Sequence, residues 1–157
     1  MAQRLLIKDA RKRKAPPRRD CHDESWHQQR FIRWSRESAR MQFNPAHEAA
    51  LLWLHSVPNG AHLSKRQAIK MVAEGMTAGI HDLRLDYVLR DSAGAINCPG
   101  LIIEMKMPGR ALSEKQKEYA SFMHSQGFRH VICRSWQEAA RCVVDYMSLK
   151  IYAPIHP

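Results

Sequence analysis

Two short apolar segments, each interrupted by an acidic residue, constrain the fold of this chain more than any other feature. Residues 80–85 read Ile-His-Asp-Leu-Arg-Leu, and residues 100–106 read Gly-Leu-Ile-Ile-Glu-Met-Lys. Both segments predict strands, yet a carboxylate in a buried strand is costly unless a cation accompanies it. Glu104 and Lys106 are two residues apart and leave a strand on the same face. The sequence therefore predicts a sheet in which Asp82 and Glu104 meet around a cation, with Lys106 beside them.

Helix and strand patterns alternate along the rest of the chain. Apolar periodicity, capping boxes at Ser64 and Ser113, and glycines near the ends define the boundaries. The predicted elements are a helix at 24–40, an ambiguous apolar run at 49–55 short enough for a buried strand, a helix at 64–75, a strand from 82, a hairpin-like connection at 91–99, a strand at 101–107, a helix at 113–127, a strand at 128–133 and a final helix from 135. This order predicts an α/β fold with a mixed sheet flanked by helices.

The charge of the chain favours a polyanionic partner. Its 157 residues carry a formal charge of +10, and much of the excess lies near the N-terminus. We expect residues 1–22 to form a flexible basic arm, either phosphate-attracting or simply solvated, followed by one domain at 23–150 and a C-terminal tail at 151–157.

Two absences from the sequence bear on where the protein works. No apolar run is long enough to span a bilayer, and the N-terminus lacks the apolar core of a signal peptide. The four cysteines are scattered without a CxxC pair, which predicts reduced thiols and neither a disulfide framework nor a zinc site. We therefore expect a cytoplasmic protein.

The two acids suggest a specific chemistry. Asp82 and Glu104 could share Mg²⁺ or Mn²⁺, with the backbone carbonyl of Met105 as a further ligand. Water and a phosphate oxygen would complete the shell, and Lys106 would orient or deprotonate the attacking water. The alternative is structural: Asp82 caps a turn, and Glu104 and Lys106 form an ion pair on one strand face. Spacing alone leaves both interpretations open.

Five short motifs occur in a fixed order and carry a family resemblance. They are Glu24-x-x-x-Gln28, Val57-Pro58-Asn59-Gly60, Glu74-Gly75-Met76-x-x-Gly79-Ile80-x-Asp82, Ile103-Glu104-Met105-Lys106 and Leu112-Ser113-x-x-Gln116. Together they resemble the virus-type replication and repair nuclease (VRR-NUC) domain of the PD-(D/E)XK nuclease superfamily, over about residues 24–147. The resemblance implies a restriction-endonuclease-like core. His81 departs from the pattern, which usually has proline there, and we expect it to face solvent.

The resemblance also implies roles for individual residues. Asp82 matches the first metal ligand, while Glu104 and Lys106 match the acidic and basic members of the ExK element. Glu24 matches the acid of the first helix, which can hold a metal-bound water. Gln116 matches the glutamine of the following helix, although as the third residue of a capping box its side chain would instead turn back to Ser113.

The implied activity is that of a metal-dependent, structure-selective DNA endonuclease acting in repair or recombination. Single-domain relatives resemble phage-encoded Holliday junction resolvases that act as homodimers on branched DNA. A flap or splayed-arm repair nuclease and a non-catalytic DNA-binding module remain as alternatives. Several polar residues have two interpretations. They form a solvated surface, or a turn in the case of Asn59; on a nuclease they would be candidate phosphate contacts. They are Arg30, Arg33, Arg36, Asn59, Lys65, Arg66, Lys70 and Arg110.

Overall fold

The computed structural model describes residues 23–57 and 64–156. The elements in these residues, in chain order, are α1 (Glu24–Ala39), α2 (Pro45–Trp53), β1 (His55–Ser56), α3 (Lys65–Ala73), β2 (Leu83–Leu85), β3 (Leu89–Arg90), β4 (Ile96–Cys98), β5 (Leu101–Met105), α4 (Glu114–Ser125), β6 (Arg129–Cys133) and α5 (Trp136–Met147). The predicted basic arm at 1–22 and the turn containing Asn59 lie outside the described residues.

The central sheet is mixed, as predicted. Its strand order is β1-β2-β5-β6, in which β5 runs antiparallel to β2 and parallel to β6. The predicted connection at 91–99 contains β4, which forms a separate two-stranded hairpin with β3. Among residues 23–57 and 64–156, no helix is long and apolar enough to cross a membrane.

The two faces of β5 have different surroundings because strand side chains alternate. Leu101, Ile103 and Met105 belong to the main apolar core, together with buried residues of α1, α2 and α5. Glu104 points to the opposite face, where α4 lies and where Gln116 reaches its carboxylate. The hydrophobic core therefore holds β5 from one side and leaves its acidic residue facing α4.

The prediction of a strand at 49–55 is wrong. Asn44 is the N-cap of α2, its side chain accepting the N–H of Ala46 at 2.9 Å, and Pro45 occupies the first helical turn. An asparagine cap followed by proline is a favourable helix start, because the missing N–H of proline would have had no helical partner. The helix ends before β1, which is the only part of this region that joins the sheet.

The segment predicted as a C-terminal tail packs against α1 instead. The indole N–H of Trp34 donates to the carbonyl of Ala153 at 2.8 Å, and the N–H of Ala153 donates to the hydroxyl of Ser38 at 2.9 Å. Ala153 is itself buried. Breaking either of these buried hydrogen bonds would leave a desolvated polar group, which costs free energy. The folded unit therefore extends beyond residue 150.

Candidate active site

Glu104 is a buried acid whose carboxylate contacts a lysine and a glutamine. Only 1% of the residue is exposed, and its Oε1 lies 2.7 Å from Nζ of Lys106. The same oxygen accepts a hydrogen bond from the side-chain amide of Gln116 on α4. A buried carboxylate needs such partners because its desolvation is expensive. Glu104 and Lys106 thus form the ion pair that their spacing predicts.

Asp82 is brought to the same place by strand register. Leu83 pairs with Ile103 across the antiparallel β2–β5 ladder, which sets the residue before β2 opposite Glu104. A carboxylate oxygen of Asp82 accepts the backbone N–H of Met105 at 2.8 Å. Asp82 and Glu104 are close enough to interact electrostatically. The structure therefore brings the two acids together.

Burial and the neighbouring acid change the ionisation of Glu104. Desolvation, helped by the charge of Asp82, raises the pKa of Glu104 to about 7 against the opposing hydrogen bond and charge of Lys106. Burial lowers the pKa of Lys106, but the hydrogen bond and charge of Glu104, with the charges of Glu24 and Asp82, leave it raised overall. The carboxylates of Glu104, Glu24 and Asp82 thus all lie close enough to act on the ammonium group of Lys106.

Glu24 reaches this cluster from the first turn of α1. Its Oε1 accepts the backbone N–H of Met107 at 3.1 Å, just beyond the end of β5. The contact orders the chain that follows the strand and places a third carboxylate near Lys106. Arg134 fixes the same stretch from outside, donating to the carbonyls of Met107 at 3.1 Å and Arg110 at 3.3 Å.

Gln116 contacts both the N-cap of α4 and the buried acid. Its Oε1 accepts the backbone N–H of Ser113 at 3.0 Å, which completes the capping box of α4. Its amide nitrogen donates to Glu104. The two ends of one side chain therefore tie the first turn of α4 to the buried acid.

The expectation that His81 faces solvent is wrong. Only 2% of the residue is exposed, and its ring stacks on Tyr119 of α4 with centroids 5.5 Å apart. Burial is the main cause that lowers the pKa of His81 to about 4, and the charges of Arg84 and His130 contribute to the shift. The imidazole is consequently neutral at pH 7. Sequence reasoning missed this position because the packing depends on where α4 crosses the sheet.

Gly79 explains how the loop before Asp82 approaches α4. Its φ is +92°, and a Cβ at this position would lie 2.7–2.8 Å from atoms of Lys115. Glycine alone tolerates both the positive φ and so close a backbone contact. The loop that carries Asp82 and the helix that carries Gln116 can therefore pack directly together.

Of the eight candidate DNA contacts, five are exposed, Arg30 lies against Trp136, Arg36 has a structural role, and Asn59 lies outside the described residues. Arg33, Lys65, Arg66 and Arg110 are exposed. Lys70 is exposed and forms a 3.6 Å ion pair with Glu74, whereas the guanidinium of Arg30 lies 5.0 Å from the ring centroid of Trp136.

Arg36 has a structural role that the sequence did not predict. It donates to the carbonyls of Leu51 at 2.6 Å and Leu54 at 2.9 Å, and also to that of Leu52. It thus satisfies carbonyls at the end of α2, so we omit it from the candidate DNA surface.

The donor set fits a hard divalent cation. In the part of the chain that the structure describes, no group of three or more His, Cys, Asp or Glu residues is arranged to hold a metal. Two adjacent carboxylates suffice for Mg²⁺, which is commonly held by one or two carboxylates with water and substrate phosphates as the other ligands. Burial first, and the charge of Asp82 next to it, raise the pKa of Glu104, and a bound cation would favour the ionised carboxylate instead.

Comparison with solved structures identifies the fold. The chain is similar to a VRR_NUC domain protein with a TM-score of 0.60 and 23% sequence identity, covering 80% of this chain and 88% of that chain. No family model and no curated protein matches the sequence. The protein has a VRR-NUC fold, and the fold prediction is confirmed.

Proposed function

We propose that this protein is a metal-dependent DNA endonuclease that hydrolyses backbone phosphodiesters. The observation that carries the proposal is the convergence of Asp82, Glu104 and Lys106 at one end of β2 and β5. The similarity to a protein whose name specifies a VRR_NUC domain supports it. A non-catalytic DNA-binding module would retain a basic surface but would have no need of a buried acidic cluster, which costs free energy of folding.

Asp82 and Glu104 would hold Mg²⁺ or Mn²⁺, with the carbonyl of Met105 as a third ligand and Glu24 binding a metal-bound water. When bound, such a cation polarises the phosphorus centre and acidifies its water ligand. Glu104 is fixed for this role by Lys106 and Gln116, which hold its carboxylate in one orientation.

Lys106 contributes positive charge beside the reacting phosphate. Its raised pKa keeps the ammonium protonated in this site, so we assign it to orienting the attacking water and stabilising charge on the phosphate. Because Lys106 stays protonated, the proton of the attacking water is taken by solvent or by the substrate. The expected products are a 5′-phosphate and a 3′-hydroxyl.

The DNA would approach over the exposed basic residues. The exposed candidates are Arg33, Lys65, Arg66, Lys70 and Arg110. Arg30 is also a candidate, although its guanidinium already stacks over the ring of Trp136. Phosphate contacts position a nucleic acid without reading its bases. Such a surface favours selection of DNA by its shape, as in branched DNA.

We further propose a homodimer that incises four-way junctions. Within the described residues α3 buries none of its side chains, and Ile69 and Val72 are 63% and 60% exposed. An exposed apolar pair on a basic helix suits contact with a second copy. A two-fold dimer would present two active sites to two strands, as symmetric incision requires. Analytical ultracentrifugation tests the dimer, and a monomer at micromolar concentration contradicts it.

The nuclease proposal is tested with labelled DNAs. Four-way junctions, flaps, splayed arms, nicked duplexes and linear duplexes are incubated with Mg²⁺, with Mn²⁺ or with EDTA, and incisions are mapped on every strand. We expect metal-dependent cleavage of branched DNA that Asp82→Asn abolishes. Paired incisions across a junction support a resolvase, whereas incision of one strand at a flap supports a repair nuclease. Cleavage that survives in the Asp82→Asn protein rejects the site.

A further inference from the structure

Two cysteines lie together at the end of the sheet beside the candidate active site. Cys133 is the last residue of β6 and Cys142 lies on α5. Their sulfur atoms are 3.9 Å apart, with the thiol of Cys133 donating to the sulfur of Cys142. Cys133 is fully buried and Cys142 is half-buried, and both are free thiols. The elements on which they lie are adjacent, so the pair is held by the fold.

We propose that Cys133 and Cys142 form a redox-sensitive dithiol that an oxidant of the peroxide class converts into a disulfide. A disulfide requires a sulfur separation of about 2.05 Å. Rotation of the two side chains, with a small shift of β6 toward α5, can supply the remaining approach. The sequence does not predict that these two cysteines pair, because their contact depends on how α5 packs over β6.

The two thiols have unequal reactivity. The hydrogen bond from Cys133 is the main cause that lowers the pKa of Cys142, with help from the charge of Arg129. Burial and the charges of Glu138 and Asp145 oppose the shift. The hydrogen bond to Cys142 and burial raise the pKa of Cys133. The more accessible thiol is therefore also the better nucleophile, since the thiolate is the reactive form.

The reaction proceeds in two balanced steps. The Cys142 thiolate attacks one peroxide oxygen, the O–O bond breaks, and the products after protonation are a sulfenic acid and water. The sulfur of Cys133 then attacks the sulfenic sulfur, and a second water leaves as the S–S bond forms. The dithiol loses two electrons and two protons, and hydrogen peroxide is reduced to two waters. A thiol reductant reverses the change.

The location couples the disulfide to the candidate active site. The carbonyl of Cys133 accepts the backbone N–H of Lys106 at 2.9 Å, and Cys133 pairs with Met105 in the parallel ladder. Drawing Cys133 toward α5 therefore displaces the strand end that carries Lys106. We expect the disulfide to slow cleavage, a consequence that rests on the proposed function.

The test oxidises the full-length protein with hydrogen peroxide, alkylates the remaining thiols and maps disulfides by mass spectrometry. We expect a peptide linking Cys133 to Cys142, absent in Cys142→Ser, retained in the control Cys98→Ser and released by dithiothreitol. Phenylarsine oxide, which bridges paired thiols, should bind the reduced protein and the Cys98→Ser variant but not Cys142→Ser. Oxidation of Cys142 to a sulfinic acid without the linked peptide overturns the proposal.

Cleavage is assayed on the same samples. We expect a loss of at least about tenfold on oxidation, restored by dithiothreitol and not seen in Cys142→Ser; unchanged cleavage by the mapped disulfide form overturns the coupling to the active site. If the reduced protein cuts no DNA, the proposed nuclease function fails while the mapped disulfide still stands, so the two failures are distinguishable.

Discussion

Gln116 donates its side-chain amide to the buried carboxylate of Glu104 while its oxygen accepts the N–H of Ser113. One residue thereby caps α4 and orients an acid on β5. A second capping box, formed by Ser64 and Gln67 at the start of α3, has similar backbone geometry on a different helix from the one that contacts Glu104. The two glutamines therefore separate the effect of capping from the effect of contacting Glu104.

Gln116→Ala should reduce cleavage, and Gln67→Ala should not. Each variant removes the glutamine half of a capping box and should cost about 1 kcal/mol or less of unfolding free energy. Loss of a group that orients a metal ligand typically lowers activity by about 10–100-fold. Urea unfolding and single-turnover cleavage at saturating DNA measure the two effects. Equal cleavage by the two variants would show that Gln116 serves only as a cap.

Glu104→Gln should abolish cleavage while leaving DNA binding intact. The amide preserves the size of the side chain but removes its charge, and loss of one electrostatic group at a reacting centre costs at least about 100-fold in rate. Binding in EDTA should be unchanged, because the basic surface is untouched. The control is Glu114→Gln, which removes an exposed acid paired with Lys117 at 2.7 Å. Parallel loss of binding and folding in Glu104→Gln would indicate a structural acid.

Arg33 and Arg36 should behave oppositely although they are three residues apart on one helix. Arg33→Ala should weaken DNA binding and reduce the salt slope by about one, with little effect on stability. Arg36→Ala leaves the carbonyls of Leu52 and Leu54 without this donor, whereas that of Leu51 keeps the hydroxyl of Ser35, and the change should cost about 1–3 kcal/mol of unfolding free energy. Salt titrations of binding and urea melts check both. A normal melt for Arg36→Ala would contradict its capping role.

Local patterns in the sequence predicted most of what positions the site. The alternation around Leu83 and Leu85, the acid just before β2 and the acid within β5 are all local patterns. The capping box at Ser113 also depends on residues a few positions apart. Those patterns predicted two acid-bearing strands joined by a hairpin-like connection, whereas the register that sets Asp82 opposite Glu104 is seen only in the structure.

The features that sequence reasoning missed depend on contacts between distant segments. The burial of His81 requires Tyr119, and the role of Arg36 requires carbonyls 15–18 residues away. The packing of Ala153 on α1 is likewise non-local. Only α2 carried a local signal that could have been used, because Asn44 followed by Pro45 is a recognised helix start.

Gly79→Ala should be more disruptive than Gly75→Ala. Both glycines have positive φ, so both substitutions incur backbone strain of about 1 kcal/mol or more. A Cβ at Gly75 meets nothing within 4 Å, whereas one at Gly79 meets Lys115 at 2.7 Å. Gly79→Ala should therefore separate the Asp82 loop from α4 and lower cleavage as well as stability. Thermal melts and cleavage assays compare the pair, and matched losses would show that the close contact is relieved without consequence.

His81 and Glu104 should give pH dependences of opposite sign in the metal-free protein. The pKa of His81 is lowered to about 4, so the unfolded state binds the proton more tightly and stability falls as pH drops from 6.5 toward 4. The pKa of Glu104 is raised to about 7, so the folded state binds the proton more tightly and stability falls as pH rises from 4.5 toward 7.

Single substitutions should separate these two effects, each of which amounts to at most about 3 kcal/mol. In His81→Phe the Glu104 effect remains, and unfolding free energy in EDTA should increase on acidification from pH 7 to pH 5. In Glu104→Gln the His81 effect remains, and unfolding free energy should decrease over the same interval, because protonation of a buried imidazole is then unopposed. Urea unfolding at half-unit pH intervals measures both slopes relative to the unmodified chain. Slopes of the same sign in the two variants would contradict the burial of one or both groups.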